Sequence, residues 1–276
     1  MPELPEVETV VRTLEYQLHE VTILDCKVKW ANIIATSDPD TFCNLIKNKT
    51  IQHYDRYGKY LLFDLGTHMW IAHMRMEGKF YIQNPNDAYD RHTHVFFTLS
   101  NGKELRYHDT RKFGKMYLYE KQEDIHAYPC FQNVGWDVFD QRLDAAYLYR
   151  NLHSRKIVLK QALLDQSVIA GIGNIYADEI CFALGMHPES KIYHLRKKDF
   201  EQLLIEARRI MKGAIASGGT TIRSYTSSLG VDGRFQLKLK VHNRKGEKCK
   251  VCGTIIKKIT VATRGTYYCP TCQRKR

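Results

Sequence analysis

Met1-Pro2-Glu3-Leu4-Pro5-Glu6-Val7-Glu8-Thr9-Val10-Val11 opens the chain. From Pro5 to about Glu20, Val7, Val10, Val11, Leu14 and Leu18 recur at helical spacing, which predicts an amphipathic helix with Pro2 at its N-terminus. Beyond it the period changes. Segments 21–30, 50–56, 59–65, 68–74, 79–83, 93–99, 103–108 and 114–119 read as strands, several divided by turn signals such as Leu65-Gly66-Thr67 and Ser100-Asn101-Gly102-Lys103. One helix ahead of a run of strands predicts a β-sandwich with a flanking helix.

The same opening can carry chemistry. If Met1 is removed, Pro2 becomes a secondary amine close to Glu3 and Glu6. An α-amine titrates near ~7.7–8.0, against ~10.4 for lysine, so far more of it is an unprotonated nucleophile at neutral pH. Condensed with a sugar C1′, a secondary amine gives a cationic iminium, an electron sink for elimination. The plainer alternative is that both prolines pre-set a helix turn and both glutamates answer its dipole.

After an aperiodic stretch over 121–140, the pattern turns helical over 142–152, 156–165, 175–185 and 197–216, and residues 219–234 form a long polar loop. A chain of 276 residues with 43% hydrophobic content is expected to form two domains with a small appendage. It shows no transmembrane run, and its start lacks the basic and apolar regions of a signal peptide, so cytosolic residence is expected. The net charge of +12 is localised: thirteen basic residues and one acidic residue lie from Arg234 onward, leaving the rest balanced. A basic tail of this kind suits a polyanion partner, though a solvated tail needs none. Within it Cys249, Cys252, Cys269 and Cys272 form C-x2-C-x16-C-x2-C, the spacing of a four-thiolate zinc site. Cys26, Cys43, Cys130 and Cys181 lack ligand spacing and read as buried or inert thiols.

Three further stretches stand out. In Ala170-Gly171-Ile172-Gly173-Asn174 the glycines permit a reversal and Asn174 can cap the next helix, offering N–H groups to a phosphate, or simply a helical hairpin turn. Asp109-Thr110-Arg111-Lys112-Phe113-Gly114 combines cations with an aromatic that could wedge a base stack, or forms a solvated turn. His73-Met74-Arg75-Met76-Glu77-Gly78-Lys79 offers a flexible methionine wedge or a core residue, and Lys59 reads locally as an edge-strand charge.

Together the Pro-Glu-Leu-Pro-Glu-Val-Glu-Thr start, the Gly171–Glu179 turn, Asp109–Gly114 and the cysteine module resemble the formamidopyrimidine-DNA glycosylases, bacterial base-excision enzymes that also cleave abasic sites. The resemblance runs from residue 2 to 272. It implies an α+β multidomain fold: an N-terminal two-layer β-sandwich over 1–130 with its helix, and a linker over 131–141. A helix–two-turn–helix domain comes next over 142–234, then a zinc-ribbon-like hairpin finger over 235–276, with damaged duplex DNA in a basic cleft. It implies excision of 8-oxoguanine opposite cytosine or of formamidopyrimidines from a flipped nucleotide. Pro2 would attack C1′, Glu3 would move protons at the sugar, and Glu6 would support the site. Lys59 would assist β-elimination and Arg264 the δ-step. Met76, Arg111 and Phe113 would fill the void, with Arg111 facing the orphan cytosine. His73, His92, Arg155 and Asn174 would hold the backbone. The 219–234 loop, with Thr220, Thr221 and Tyr225, would close over the base, and Glu77 would help read it. One structural zinc, no small-molecule cofactor, no membrane and a monomer complete the expectation.

The chain departs from the family where Val241-His242-Asn243-Arg244 replaces the common Val-Tyr-Gly-Arg, which predicts a weaker or pH-sensitive phosphate contact. The apolar content of Ser227-Ser228-Leu229-Gly230-Val231 leaves lesion preference open. Two rivals remain at this level: an endonuclease VIII-like enzyme for oxidised pyrimidines, disfavoured by Leu4, and a non-catalytic damage sensor, disfavoured by the Pro2, Glu3, Glu6 and Lys59 set.

Overall fold

The computed structural model describes residues 1–220 and 234–276. They fall into two compact units: Met1–Gln132 with the segment beginning at Gly218, and Asn133–Ser217 with Arg234–Arg276.

In the first unit, α1 (Leu4–Gln17) buries Val7, Val10, Val11 and Leu14, the face its periodicity predicts. Next come β1 (Thr22–Val28) and α2 (Pro39–Ile46). The strand pattern did not contain α2, although its start is spelled out locally. Asp38 Oδ1 accepts the Thr41 N–H at 2.9 Å, and Pro39 occupies the first turn, where no N–H is needed. Eight residues are too few for a period to show. The remaining strands of this unit are β2 (Lys49–Thr50), β3 (His53–Tyr57), β4 (Tyr60–Asp64), β5 (His68–His73), β6 (Lys79–Gln83), β7 (Thr93–Leu99), β8 (Glu104–His108) and β9 (Lys115–Glu120).

These strands build two antiparallel sheets, in the orders β2-β1-β7-β8-β6 and β3-β4-β5-β9. Their alternating inner residues meet in one core with the apolar faces of α1 and α2. Trp70 of one sheet stacks on Phe63 at 4.1 Å and lies 4.6 Å from Phe97 of the other. Each such ring buries a large apolar area, and the aromatic pairs add ~0.5–1.5 kcal/mol beyond that burial. This is the expected two-layer sandwich.

The aperiodic stretch over 121–140 is not a plain linker. Two short 3-10 turns bury Tyr128 and Phe131 against the first unit, where Phe131 lies 5.3 Å from the Tyr57 ring. Beyond them β10 (Trp136–Asp137) pairs in parallel with β11 (Ile169–Ala170) inside the second unit. Aromatic burial without repeat spacing leaves no periodic signature.

The helices of the second unit are α3 (Ala145–Leu152), α4 (Leu159–Leu164), α5 (Asn174–Ala183) and α6 (Lys197–Ile215). α6 buries Phe200, Leu203, Leu204, Ala207, Ile210, Met211 and Ala214, its expected face. The hairpin of β12 (Lys257–Val261) and β13 (Arg264–Tyr268) closes through Ala262 and Thr263, with φ of 47° and 63°. Two consecutive left-handed residues are what a tight twisted hairpin demands, but neither is a residue that adopts φ > 0 readily. Among the described residues, no helix is long and apolar enough to cross a membrane.

Candidate active site and nucleic-acid interface

The first unit gathers ionisable groups at the start of α1. Glu3 is the N-cap, and Pro5 lies in the first turn. Pro2, Glu3 and Glu6 are all buried. Glu6 Oε2 accepts the Glu3 N–H at 2.9 Å, while Oε1 accepts the N–H and hydroxyl of Thr220 at 2.8 and 2.9 Å. Gly219, at φ +75°, has to be glycine: a β-carbon there would stand 2.9 Å from Glu6 Oε1. Glu6 therefore ties the first helical turn to the beginning of the 219–234 loop. Thr221 and Tyr225 lie outside the described residues.

The amino terminus carried by Met1 is held below the ordinary α-amine range. Burial is the main cause; Glu3 and Glu6 oppose it, Lys59 adds to it, and Glu77 opposes it more weakly. The groups that sequence reasoning singled out thus act on one point. Burial favours the neutral, nucleophilic form of an amine, and the carboxylates beside it can exchange protons.

Lys59 is not an edge-strand charge. It sits with Gly58 (φ +55°) in the two-residue loop between β3 and β4 and is only 6% exposed. Its charge also reaches His73, at the end of β5. His73 Nδ1 accepts the Arg75 N–H at 2.9 Å, and the ring meets Tyr60 edge-on at 4.4 Å. Burial, then Arg75, then Lys59 pull the His73 pKa down to about 3. Its imidazole is therefore neutral at ordinary pH, with Nδ1 the acceptor and the ring proton left to Nε2.

Met76 and Arg111–Phe113 stand on two loops whose supports the sequence did not assign. Asp109, fully buried, accepts the N–H groups of Arg111 (3.0 Å), Phe113 (2.9 Å) and Gly114 (2.8 Å). That fan of bonds folds the loop outward, leaving Arg111 and Phe113 exposed with the guanidinium 4.6 Å from the ring. Thr110 donates to Glu77 Oε2 at 2.5 Å, joining this loop to the turn that bears half-buried Met76. Beneath both, the Tyr107 hydroxyl occupies the space that a β-carbon at Gly78 or Gly114 would need. His92 is fixed by its neighbours: its carbonyl accepts the Asp109 N–H at 2.9 Å, and its Nε2 accepts Arg91 Nε at 3.3 Å.

In the second unit Asn174 is not a cap. The N-cap is Gly173, no side chain caps the helix, and Asn174 Nδ2 donates to the Gly265 carbonyl at 3.1 Å. The Gly171–Gly173 reversal is clamped instead by Gln166, which accepts the Gly171 N–H and donates to the Ile172 carbonyl. Arg155 pairs with Asp165 at 2.7 Å while remaining 39% exposed. Arg264, exposed, begins β13 beside the carbonyl that Asn174 holds.

Behind the hairpin lies a buried ionic cluster. Lys160 Nζ donates to Asp178 Oδ1 (2.7 Å), Thr266 Oγ1 (2.7 Å) and the Gly265 carbonyl (3.2 Å). The second Asp178 oxygen meets His242 Nδ1 at 2.7 Å. Glu179 accepts the N–H groups of Lys240, Val241 and His242. His242 is only 8% exposed, and its Nδ1 is bonded inward to Asp178. Asn243, where the family commonly has glycine, takes φ +59°, which asparagine tolerates better than most residues.

The four cysteine Sγ atoms of the tail lie within 4.8 Å of one another. Tetrahedral zinc with Zn–S of ~2.3 Å needs sulfurs about 3.8 Å apart. Cys249–Cys272 at 3.9 Å and Cys252–Cys269 at 3.4 Å fit that edge. The N–H groups of Val251 and Cys272 point at Cys249 and Cys269 Sγ, each at 3.5 Å, as knuckles that stabilise thiolates do. The set holds one structural Zn2+.

Comparison with known proteins agrees with this geometry. The model of the formamidopyrimidine-DNA glycosylase N-terminal domain matches residues 1–116, and that of the H2TH domain matches 134–226. A zinc finger found in FPG and IleRS matches 246–274. The chain is 44% identical over 274 residues to the formamidopyrimidine-DNA glycosylase of Oceanobacillus iheyensis, covering 99% of this chain and 98% of that one. It is 43% identical over 277 residues to that of Bacillus subtilis, covering all of both. Among solved structures, a Lactococcus lactis FPG mutant in complex with a Fapy-dG-containing DNA superposes with a TM-score of 0.91 at 34% identity, covering 99% of each chain.

Proposed function

Since the chain belongs to the formamidopyrimidine-DNA glycosylase family, we propose that it excises oxidised purines from duplex DNA through the Pro2 amine and then nicks the abasic site by β,δ-elimination. The enzyme is a base-excision glycosylase and abasic-site lyase, and damaged duplex DNA is its partner. The observation that carries the residue assignment is the convergence of Glu3, Glu6, Lys59 and Glu77 on the amino-terminal group, beside buried Pro2, Glu3, Glu6 and Lys59.

With Met1 removed, the Pro2 nitrogen attacks C1′ of the flipped nucleotide and the bond from C1′ to the base breaks. The base leaves with a proton, and Glu3 protonates the ring oxygen as the sugar opens to the iminium. That cation acidifies C2′; loss of its proton expels the 3′-phosphate, with Lys59 assisting, and Arg264 assists departure of the 5′-phosphate in the second elimination. Glu6 positions rather than reacts, since both its oxygens accept backbone or hydroxyl donors. Glu77, bonded to Thr110, and the loop beginning at Thr220 bound the base.

His73 and His92, with Arg155 and Asn174, hold phosphates; Met76, Arg111 and Phe113 fill the gap left by the flipped nucleotide, with Arg111 on the orphan cytosine. Half a dozen phosphate contacts make binding strongly salt-dependent, by orders of magnitude between low and physiological salt. Zinc keeps the hairpin folded. The protein acts as a cytoplasmic monomer.

Borohydride trapping tests the reading. Mixed with an 8-oxoguanine:cytosine duplex and reduced, the protein gives a covalent protein–DNA band that Pro2→Gly loses. Tight lesion binding without any band would point to a damage sensor instead.

A further inference from the structure

Two cysteines outside the zinc module, unremarkable in the sequence, meet in space. Cys26 lies on β1 and Cys43 on α2, seventeen positions apart, and their Sγ atoms are 2.7 Å from each other. That is well inside the ~3.6 Å at which two unbonded sulfurs touch, and closer to the ~2.05 Å of a disulfide. Both are half-buried thiols packed against the sandwich core. We propose that Cys26 and Cys43 form a reversible disulfide when the protein meets peroxide, clipping α2 onto β1.

The chemistry balances with hydrogen peroxide as oxidant. The Cys43 thiolate attacks one peroxide oxygen; the O–O bond breaks, and the departing hydroxide takes a proton to become water. The Cys26 sulfur then attacks the resulting sulfenic sulfur, the S–O bond breaks, and a second water leaves with the remaining proton. Two thiols are oxidised and one peroxide is reduced. The roles come from the surroundings. The Cys26 contact draws Cys43 below the ordinary thiol range, whereas that contact and burial push Cys26 up. Cys43 is therefore the sulfur that reacts first and Cys26 the one that resolves it.

The clip would act on a strand that serves the DNA-facing loops. β1 runs on to Trp30, whose ring carries the Lys112 ammonium at 4.0 Å, between Arg111 and Phe113. Closing a loop of this length restricts the unfolded chain, so the oxidised unit resists unfolding under the same conditions that generate oxidised bases.

The test uses the full-length, zinc-loaded protein. After exposure to limiting peroxide, free thiols are alkylated under denaturing conditions and tryptic peptides mapped, with zinc content followed in parallel. The expected result is a peptide pair joined through Cys26 and Cys43 before zinc is released, reversed by dithiothreitol and absent in Cys43→Ser. The first unfolding transition should rise by roughly 5–10 °C on oxidation of the wild type and not in the variant. Alkylation of both cysteines after the zinc thiolates have already oxidised would overturn the proposal, as would a link that forms only in urea-unfolded protein. A link formed without any rise in the transition would overturn the stabilising clip.

Discussion

Glu6 Oε1 accepts both the backbone N–H and the hydroxyl of Thr220, 2.8 and 2.9 Å away and 214 positions along the chain. Glu6→Gln turns one carboxylate oxygen into a donor that must face a backbone N–H. The variant should lose about 1–3 kcal/mol of stability, as a buried unsatisfied donor does. Thr220→Val removes only the hydroxyl bond and should cost about 1 kcal/mol. Urea melts of the two variants and the double variant check both figures, and additive losses would show that the two residues do not act as a pair.

Asp109 folds the Arg111–Phe113 loop through three backbone N–H bonds. Asp109→Ala strands those donors and should cost about 2–4 kcal/mol in the first unit. Lesion-duplex affinity should fall at least tenfold, and trypsin should cut faster after Arg111 and Lys112. Unaltered proteolysis would show that the loop is held by other groups.

His73 gives stability a definite pH dependence. Its pKa is lowered to about 3 in the fold, against about 6.5 when unfolded. The unfolded chain therefore binds the extra proton first, so the contribution is full above about pH 6.5 and is lost as pH falls toward 3. Between pH 6.5 and 5 the loss is about 2 kcal/mol from this residue. In His73→Gln the stability difference between those two pH values should shrink by that amount.

Zinc removal should separate the two units' behaviour. The small apolar cluster of Val241, Cys249, Ile256 and Cys269 shares two of its four members with the metal site. Strong chelation should abolish duplex binding while the near-ultraviolet signal of buried Trp70 in the sandwich persists. Binding that survives verified zinc loss would rule this out.

The hairpin turn offers a gain. Thr263 is β-branched yet takes φ +63°. Thr263→Gly removes that strain, about 1 kcal/mol, and should raise the transition of the second unit. Retained δ-elimination on an abasic-site duplex would show that the turn's backbone path is unchanged.

The fold was legible where the signal is local and repeated. The faces of α1 and α6, the alternating strands and the paired cysteines all repeat at short spacing. The segment over 121–140 and α2 were not, because buried aromatics without a period and an eight-residue helix leave too few repeats. The candidate site was legible as residue types: Pro2, Glu3, Glu6, Lys59 and the two loops. The sequence did not reveal what holds them, although Asp109 and Gly219 lie inside flagged stretches and Gln166 a few residues ahead of one.

Sequence alone determined the residue chemistry: an amine that becomes terminal if Met1 is removed, four thiolates at zinc spacing, and a basic tail after a balanced body. Tertiary structure decided the environment of those groups. It buried Lys59 in a hairpin loop, lowered the pKa of His73, turned His242 inward to Asp178, gave Asn174 to the Gly265 carbonyl and closed Glu6 onto Thr220. Desolvation and hydrogen-bond direction depend on what packs against a group, and those neighbours come from tens to hundreds of residues away, beyond the reach of local spacing.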